Sequence, residues 1–297
     1  RGGRKYDQDR VGYSYSRDSL MLVVADGMGG HLHGEVAAQI TVELLAELFQ
    51  KKAKPVISSP GSFLTDSLNK AHDAILAYSN NHNLLETPRT TCVACLIQDG
   101  MAYWAHVGDS RLYLVRKGQL IAQTKDHSKV QQMVDSGVLT EAEAQVHPER
   151  NKIYNCLGGL HPPEVELGGK TALHENDSVL LSSDGFWGPL NIDEVCGYLG
   201  NYPAMYALPQ LMDQAELRAG KHSDNLSVLG ITWLEEDTAA DDGPTTIQTK
   251  TMPLDSFTTK LKELDAEQIL KGDRDVTEMD IEAAIAEIKS TIEKYSK

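Results

Sequence analysis

The spacing of apolar residues predicts a domain that mixes helices with antiparallel strands. Apolar residues recur at helical spacing over 34–51 and again over 62–80, and two further helices are predicted at 192–199 and 209–219. Short apolar runs predict strands over residues 19–25, 90–98, 101–107, 111–116, 119–123, 179–182 and 226–233.

The turns between these runs indicate how the strands pair. The dipeptide Asp99-Gly100 separates two of the runs and Lys117-Gly118 separates two others, and Asp-Gly in such a position is a strong hairpin signal. Strands joined by turns this short pair antiparallel, which argues against a doubly wound parallel sheet. We therefore predict an α+β fold with two β layers and helices outside them.

Composition divides the chain into three parts. Residues 1–236 carry the strand and helix signals, whereas 237–252 lose apolar periodicity and gain Thr, Asp, Gly and Pro, as a linker does. Residues 253–297 form a charged tail that is prone to helix. We expect this tail to dock on the main domain or on a partner, with a solvated helix as the alternative. Its clearest apolar stripe comprises Ile281, Ala284, Ile285, Ile288 and Ile292.

The charge balance argues against two classes of partner. The 297 residues include 28 Lys and Arg against 43 Asp and Glu, which gives a formal net charge of −15. Nucleic acids and anionic membranes are bound by clustered cations, so neither is expected here. No apolar run approaches the roughly 18 residues that a membrane helix needs. We predict no nucleic-acid partner and no membrane span.

The cysteines favour a cytoplasmic protein, and Cys92 and Cys95 are interpreted as core residues. Four cysteines are too few for a disulfide framework in a chain of this size, which favours a reducing compartment. Cys92 and Cys95 form a CxxC that could be a redox pair or half of a zinc site. In a strand, however, residues three apart point to opposite faces, and no second CxxC or CxxH follows at zinc-like spacing.

Five aspartates lie at the ends of predicted strands or just before them. They are Asp9 in YDQD, Asp26 in ADGMGG, Asp109 in HVGDSR, Asp184 in SSDG and Asp224 in SDN. A single Asp in this position is usually a turn residue that bonds to nearby backbone N–H groups. If the strand ends converge, five carboxylates form an oxygen-rich cage of the kind that Mg²⁺ and Mn²⁺ prefer. Gly27 would let a backbone carbonyl approach the metal closely.

The order of these pieces resembles the metal-dependent, type 2C (PPM) family of protein serine/threonine phosphatases in its compact bacterial form. The pieces are RxxxQD, DGMGGH, HVGDSR, DHS, SDG and DN, and the resemblance extends over about residues 3–233. The resemblance implies an α/β/β/α sandwich, with two antiparallel sheets flanked by helices, as a catalytic domain over 1–236. The predicted linker and helical tail lie outside it.

The resemblance also implies a centre of two Mn²⁺ or Mg²⁺ ions with a third, weaker ion beside it. Asp26 would bridge the two metals, and Asp109 corresponds to the aspartate of the third metal. Arg4 would bind the phosphate, a task that suits a planar guanidinium, so that Arg4 and Asp26 are the implied catalytic residues. The metal ligands carried over by position are Asp9, Asp26, Gly27, Asp109, Asp184 and Asp224.

Two positions depart from the family pattern. The usual Asn of the first motif is Asp7 here, which adds a negative charge beside the metals. Met28 stands where many eukaryotic members have a histidine proposed as the general acid, and a thioether cannot donate a proton. Water on the metals is the first candidate for the leaving-group acid, and His31 is the second.

We therefore predict a hydrolase that removes phosphate from phosphoserine and phosphothreonine in proteins, the products of serine/threonine kinases. Two divalent ions would lower the pKa of a bridging water and orient it for in-line attack on phosphorus. No cysteine has an Arg six residues on, so a cysteine-phosphatase loop is not indicated. The alternatives are a catalytically silent regulatory module with this fold and a small-molecule phosphoester hydrolase with the same metal centre.

Two other features have competing interpretations. Asp126-His127-Ser128 matches the DHS motif of the family, which precedes a variable flap, here residues 129–160. Its alternative role is a helix cap by Ser128 or Asp126. Trp187 is interpreted as packing in the core or in the wall of the cleft.

Overall fold

The computed structural model describes residues 2–28 and 33–234, and the backbone of 248–251. His31 and the tail 253–297 lie outside the described residues. The helices are α1 (Gly34–Lys52), α2 (Pro60–Asn81), α3 (Lys129–Asp135), α4 (Glu141–Val146), α5 (Asp184–Trp187), α6 (Ile192–Asn201) and α7 (Ala204–Ala219). The strands are β1 (Asp9–Tyr15), β2 (Ser19–Asp26), β3 (Cys92–Gln98), β4 (Met101–Val107), β5 (Arg111–Arg116), β6 (Gln119–Gln123), β7 (Glu166–Leu167), β8 (Thr171–Ala172), β9 (Ser178–Ser182), β10 (Val228–Thr232) and β11 (Gln248–Thr251).

These strands form two antiparallel sheets that pack face to face. The first has the order β11-β1-β2-β3-β4-β7, with β8 also paired to β4, and the second has the order β10-β9-β5-β6. Helices α1 and α2 cover the outer face of the first sheet, while α6 and α7 cover the second. The α/β/β/α sandwich predicted above is therefore confirmed.

Alternation along the central strands explains why they are continuously apolar. In β2, Met21 and Val23 face the helices, whereas Leu22 and Val24 face the second sheet. Cys92 and Cys95 separate in the same way, since Cys92 packs under the helices and Cys95 between the sheets. Both cysteines are buried and unpaired, which confirms their interpretation as core residues.

The predicted hairpin turns have the backbone that their residues favour. Asp99 and Gly100 have φ of 52° and 65°, and Lys117 and Gly118 have φ of 49° and 75°. Two successive positive φ values are those of a type I′ turn, whose twist matches that of the flanking strands. The bounds predicted for β4, β5 and β6 are accordingly those observed.

Helix α7 and strand β11 differ from the sequence interpretation. Helix α7 begins at Ala204 rather than at Pro209, which lies inside it. Strand β11 lies within the predicted linker and pairs with β1 from Gly12↔Thr251 to Tyr15↔Gln248. The Thr-rich composition that suggested a linker is also compatible with an edge strand, because Thr has a high β-propensity. Among the described residues, no helix is both long and apolar enough to cross a membrane.

Removing β11 should destabilise the domain and expose a pairing edge. We expect a chain that ends at Ile247 to melt several degrees below one that ends at Met252, which keeps the strand. Loss of β11 leaves the N–H and C=O groups of β1 unpaired, and such an edge recruits other chains. Calorimetry and light scattering over a range of concentrations would detect both effects. Equal melting and equal mass for the two chains would contradict a stabilising role for β11.

Candidate metal centre

The five aspartates singled out above meet at one end of the two sheets. In the register of β1 and β2, Asp9 lies directly opposite Asp26. Asp109 lies between β4 and β5, Asp184 begins α5 just after β9, and Asp224 precedes β10. Asp26 interacts electrostatically with each of the other four carboxylates. The fold thus brings together groups that are up to 215 residues apart in the sequence, from Asp9 to Asp224.

One oxygen of Asp9 is held in place and the other is unpartnered. Asp9 as a whole is 5% exposed, and its Oδ2 accepts a hydrogen bond of 2.7 Å from Ser183 Oγ. Its Oδ1 is buried and has no hydrogen-bond partner in the described part of the chain. A buried carboxylate oxygen without a partner is costly unless a cation or water satisfies it. This oxygen is therefore a candidate ligand atom.

Close packing fixes the backbone beside Asp26. A Cβ on Gly27 would lie 2.5 Å from the carbonyl carbon and oxygen of Gly34 and 2.6 Å from Gln8 O. The carbonyl oxygen of Asp26 accepts hydrogen bonds from Thr91 N at 2.9 Å and Thr90 Oγ1 at 2.8 Å. Glycine is required here by space, and the surrounding backbone leaves this turn little freedom.

The carboxylates repel one another in this buried setting. Burial and the neighbouring Asp7 raise the pKa of Asp9 to about 7. Burial and Asp224 raise the pKa of Asp184 to about 6. For Asp26 the pKa also lies well above its usual value, because of burial first and then the adjacent Asp9.

The nearby arginines compensate this negative charge incompletely. Arg10 donates from Nη1 to the backbone carbonyls of Asp7 and Asp9, at 2.9 and 2.7 Å, and from Nε to Gln39 Oε1 at 2.9 Å. Arg4 donates from Nη2 to Asp224 Oδ2 at 2.6 Å, and its side chain is 52% exposed. The all-oxygen donor set, the mutual repulsion and the unpartnered oxygen of Asp9 fit hard divalent cations such as Mn²⁺ or Mg²⁺.

A second cluster of possible ligands is better explained by hydrogen bonding. Ligand atoms of His106, His127 and Glu166 lie within 4.8 Å of one another. Nδ1 of His127 accepts from Gly108 N at 3.1 Å and from Asn155 Nδ2 at 2.7 Å. The ring proton of a neutral His127 must then be on Nε2, 3.3 Å from Glu166 Oε2, and this N–H leaves no lone pair for a metal.

Without divalent cations the protein should be more stable at about pH 5.5 than at about pH 7.5. Asp9 and Asp184 have pKa values of about 7 and 6 in the folded chain, against the usual 3.8 of an aspartate. They therefore bind their protons more tightly when the chain is folded than when it is unfolded. Their contribution to stability is therefore complete below pH 3.8 and is lost as the pH rises through those folded values. Urea unfolding in a chelator would measure this slope, and an Asp9→Asn variant should flatten it.

Added Mn²⁺ should reverse that trend, because ligation requires ionised carboxylates. A metal-free protein that gains stability between about pH 5.5 and 7.5 would contradict the repulsion inferred for these carboxylates.

Several supporting residues were not assigned from the sequence. Ser183 holds Asp9 from 174 residues away, and Asn225 accepts from Gln8 N at 2.9 Å and donates to Tyr6 O at 3.0 Å. Each lies next to a motif aspartate, which is a signal of importance, but their partners are distant in the chain. Ser128 caps α3 by accepting from Gln131 N, which confirms the capping interpretation.

Comparison with known proteins matches the chain to one family. The model of the family described as protein phosphatase 2C matches residues 4–214. A putative protein phosphatase 2C-type of Streptococcus pyogenes is 32% identical over 236 residues, covering 79% of this chain and 94% of the relative. The serine/threonine protein phosphatase PstP of Mycobacterium tuberculosis is 36% identical over 213 residues, covering 70% of this chain and 39% of PstP.

A solved structure extends the likeness to three dimensions. The catalytic domain of the serine/threonine protein phosphatase PstP, in complex with two manganese ions, matches with a TM-score of 0.64 and 30% identity. The match covers 78% of this chain and 94% of that one.

Proposed function

Because the chain belongs to the protein phosphatase 2C family, as its motifs predicted, we propose that it hydrolyses phosphoserine and phosphothreonine in proteins with the help of divalent cations. The observation that carries the proposal is the convergence of five carboxylates around Asp26, with an unpartnered buried oxygen on Asp9. The names of the relatives support the reaction class. Its substrates would be phosphoproteins, which are the products of serine/threonine kinases.

We assign the ligands on the basis of this convergence and the family motif. Asp26 is central to the cage, Asp9 offers its free Oδ1, and Asp109 would serve a third ion. When bound, such ions supply Lewis acidity that activates water and stabilises charge on a phosphoryl group. The ions would be Mn²⁺ or Mg²⁺, and the proposed ligand set is Asp9, Asp26, the Gly27 carbonyl, Asp109, Asp184 and Asp224.

Arg4 would bind and orient the phosphoryl group. Its side chain is half-exposed beside the aspartates and donates one hydrogen bond, to Asp224. The other N–H groups of the guanidinium can therefore bind phosphate oxygens. A guanidinium binds a phosphate through two parallel hydrogen bonds, which fixes orientation as well as charge. Met28 has no proton to donate to the leaving group, which agrees with a role for water there.

Replacing Arg4 should weaken substrate binding. An Arg4→Lys variant keeps the charge but loses the planar fork, and we expect KM for a phosphopeptide to rise about tenfold, as for the loss of one charge-assisted hydrogen bond. Arg17→Lys is a matched control, because Arg17 is similarly exposed and contacts only Asp18 among the described ion pairs. A KM equal to that of the unmodified protein would argue against phosphate binding by Arg4.

Hydrolysis of a phosphopeptide during Mn²⁺ titration tests the proposal. We expect no turnover in a chelator, saturable turnover with Mn²⁺, and loss of turnover in Asp184→Asn. Turnover in metal-free buffer would overturn the metal dependence. Mn²⁺ binding without any turnover would favour a silent regulatory module, and preference for a phosphodiester over the phosphopeptide would favour a small-molecule hydrolase.

A further inference from the structure

The loop that carries Asp109 is held by a tryptophan from another part of the chain. Trp187 is the last residue of α5, the helix that Asp184 begins. Its indole Nε1 donates a hydrogen bond of 3.0 Å to the backbone carbonyl oxygen of Asp109. The ring therefore joins the segments that carry two of the proposed metal ligands.

Arg111 stacks on this indole and holds it in place. Its guanidinium carbon lies 3.5 Å from the centroid of the Trp187 ring, which is a stacked cation–π contact. The same guanidinium forms a two-pronged ion pair with Asp126, with Nε–Oδ1 and Nη2–Oδ2 distances of 2.8 Å each. Only a planar fork can satisfy a carboxylate at its edge and an aromatic ring at its face together, so lysine is a poor substitute.

Asp126 is itself anchored to the Asp109 loop. The next residue, His127, donates from its backbone N–H to Gly108 O at 3.0 Å and accepts at Nδ1 from Gly108 N at 3.1 Å. Its ring also accepts a hydrogen bond of 2.7 Å from Nδ2 of Asn155, which lies near the C-terminal end of the predicted flap, residues 129–160. These contacts fix the position of Asp126, and its ion pair in turn holds the guanidinium of Arg111 in place.

We propose that Arg111 is a positioning residue, which by stacking Trp187 against its ion pair with Asp126 sets the backbone of Asp109 and the direction of its carboxylate toward the metal cage. The inference rests on the proposed function, in which Asp109 ligates the third, weaker ion. The guanidinium of Arg111 already contacts Asp126, the hydroxyl of Tyr113 and the ring of Trp187. We therefore do not propose it as a phosphate ligand.

Strand β5 contains a matched control at its other end. Arg116 forms the same two-pronged pair, with Asp177, at 2.8 and 2.7 Å. Asp177 is fully buried, as Asp126 nearly is, but Arg116 contacts neither Trp187 nor the Asp109 loop among the described interactions. Arg116→Lys therefore removes a comparable structural ion pair without touching the proposed device.

Mn²⁺ binding by calorimetry, with no substrate present, tests the inference in Arg111→Lys, Trp187→Phe and Arg116→Lys. We expect the weakest Mn²⁺ site of the first two variants to lose about tenfold or more in affinity, with the tighter sites retained. Arg116→Lys should bind Mn²⁺ like the unmodified protein. Trp187→Phe keeps an aromatic ring but lacks the indole N–H, so it separates the hydrogen bond from the stacking. Phosphopeptide turnover by the first two variants should recover when Mn²⁺ is raised about tenfold.

Three outcomes would overturn the inference. If Arg111→Lys and Trp187→Phe bind Mn²⁺ like the unmodified protein, Arg111 has only a structural role. If Arg116→Lys loses the same affinity, the effect is a general loosening of the sheet. If the unmodified protein binds no Mn²⁺, the proposed function fails together with the inference, and this result is distinct from the other two.

Discussion

Replacing Asp26 with asparagine should abolish phosphopeptide hydrolysis while making the metal-free protein more stable. Asparagine has nearly the same shape, so the packing around β2 is kept. The substitution removes the carboxylate that interacts with all four others and whose pKa is raised by burial and by Asp9. Activity should fall by more than about 100-fold, because losing a group that only orients a ligand already lowers metal affinity or activity by 10–100-fold.

The opposite signs of the two effects make this variant decisive. At neutral pH the metal-free Asp26→Asn protein should unfold at a higher urea concentration than the unmodified protein, because folding no longer has to bury or protonate a carboxyl group that is ionised in the unfolded chain. Added Mn²⁺ should stabilise it much less than it stabilises the unmodified protein. Asp66→Asn, on the exposed face of α2, is the control and should change neither quantity. An Asp26→Asn protein that is less stable than the unmodified protein without metal, or that still hydrolyses phosphopeptide with Mn²⁺, would contradict the proposed cage.

Local signals in the sequence were sufficient for the central hairpins and the two long helices, and they singled out the aspartates that the fold brings together. Asp99-Gly100 has one favourable backbone solution, so the β3–β4 hairpin and its antiparallel pairing follow from two residues. Alternation in β2 and the helical stripe of α1 then require layers on both faces of the sheet.

The contacts that hold the site depend on partners far apart in the chain. Ser183 reaches Asp9 because the start of β1 lies beside the end of β9, in the facing sheet, and the stack of Asp126, Arg111 and Trp187 uses three separate segments. No window of ten residues contains both members of any of these pairs. Strand β11 was missed for a related reason, since an edge strand is defined by a neighbour that composition cannot reveal.

Replacing Gly27 with alanine should damage the site through volume alone. The added Cβ would lie 2.5 Å from the Gly34 carbonyl and 2.6 Å from Gln8 O, and both are backbone atoms that cannot rotate away. Relief requires a shift of the turn after β2, which follows Asp26 directly and carries the Gly27 carbonyl, a proposed ligand. Overpacking of this kind costs about 1–3 kcal/mol. The melting temperature should therefore fall by several degrees.

Catalysis should suffer more than stability does in Gly27→Ala, because an ångström-scale misplacement of reacting groups can cost about 100-fold in rate. Gly197→Ala is the matched control, since a Cβ on this exposed residue of α6 would meet nothing within 4 Å. That control should be more stable by about 0.5–1 kcal/mol, as alanine is favoured over glycine inside a helix, with turnover unchanged. Melting curves, Mn²⁺ titration and phosphopeptide turnover would compare the two variants. If Gly27→Ala binds Mn²⁺ and turns over like Gly197→Ala, the Gly27 carbonyl is not a ligand and the turn after β2 does not position the cage.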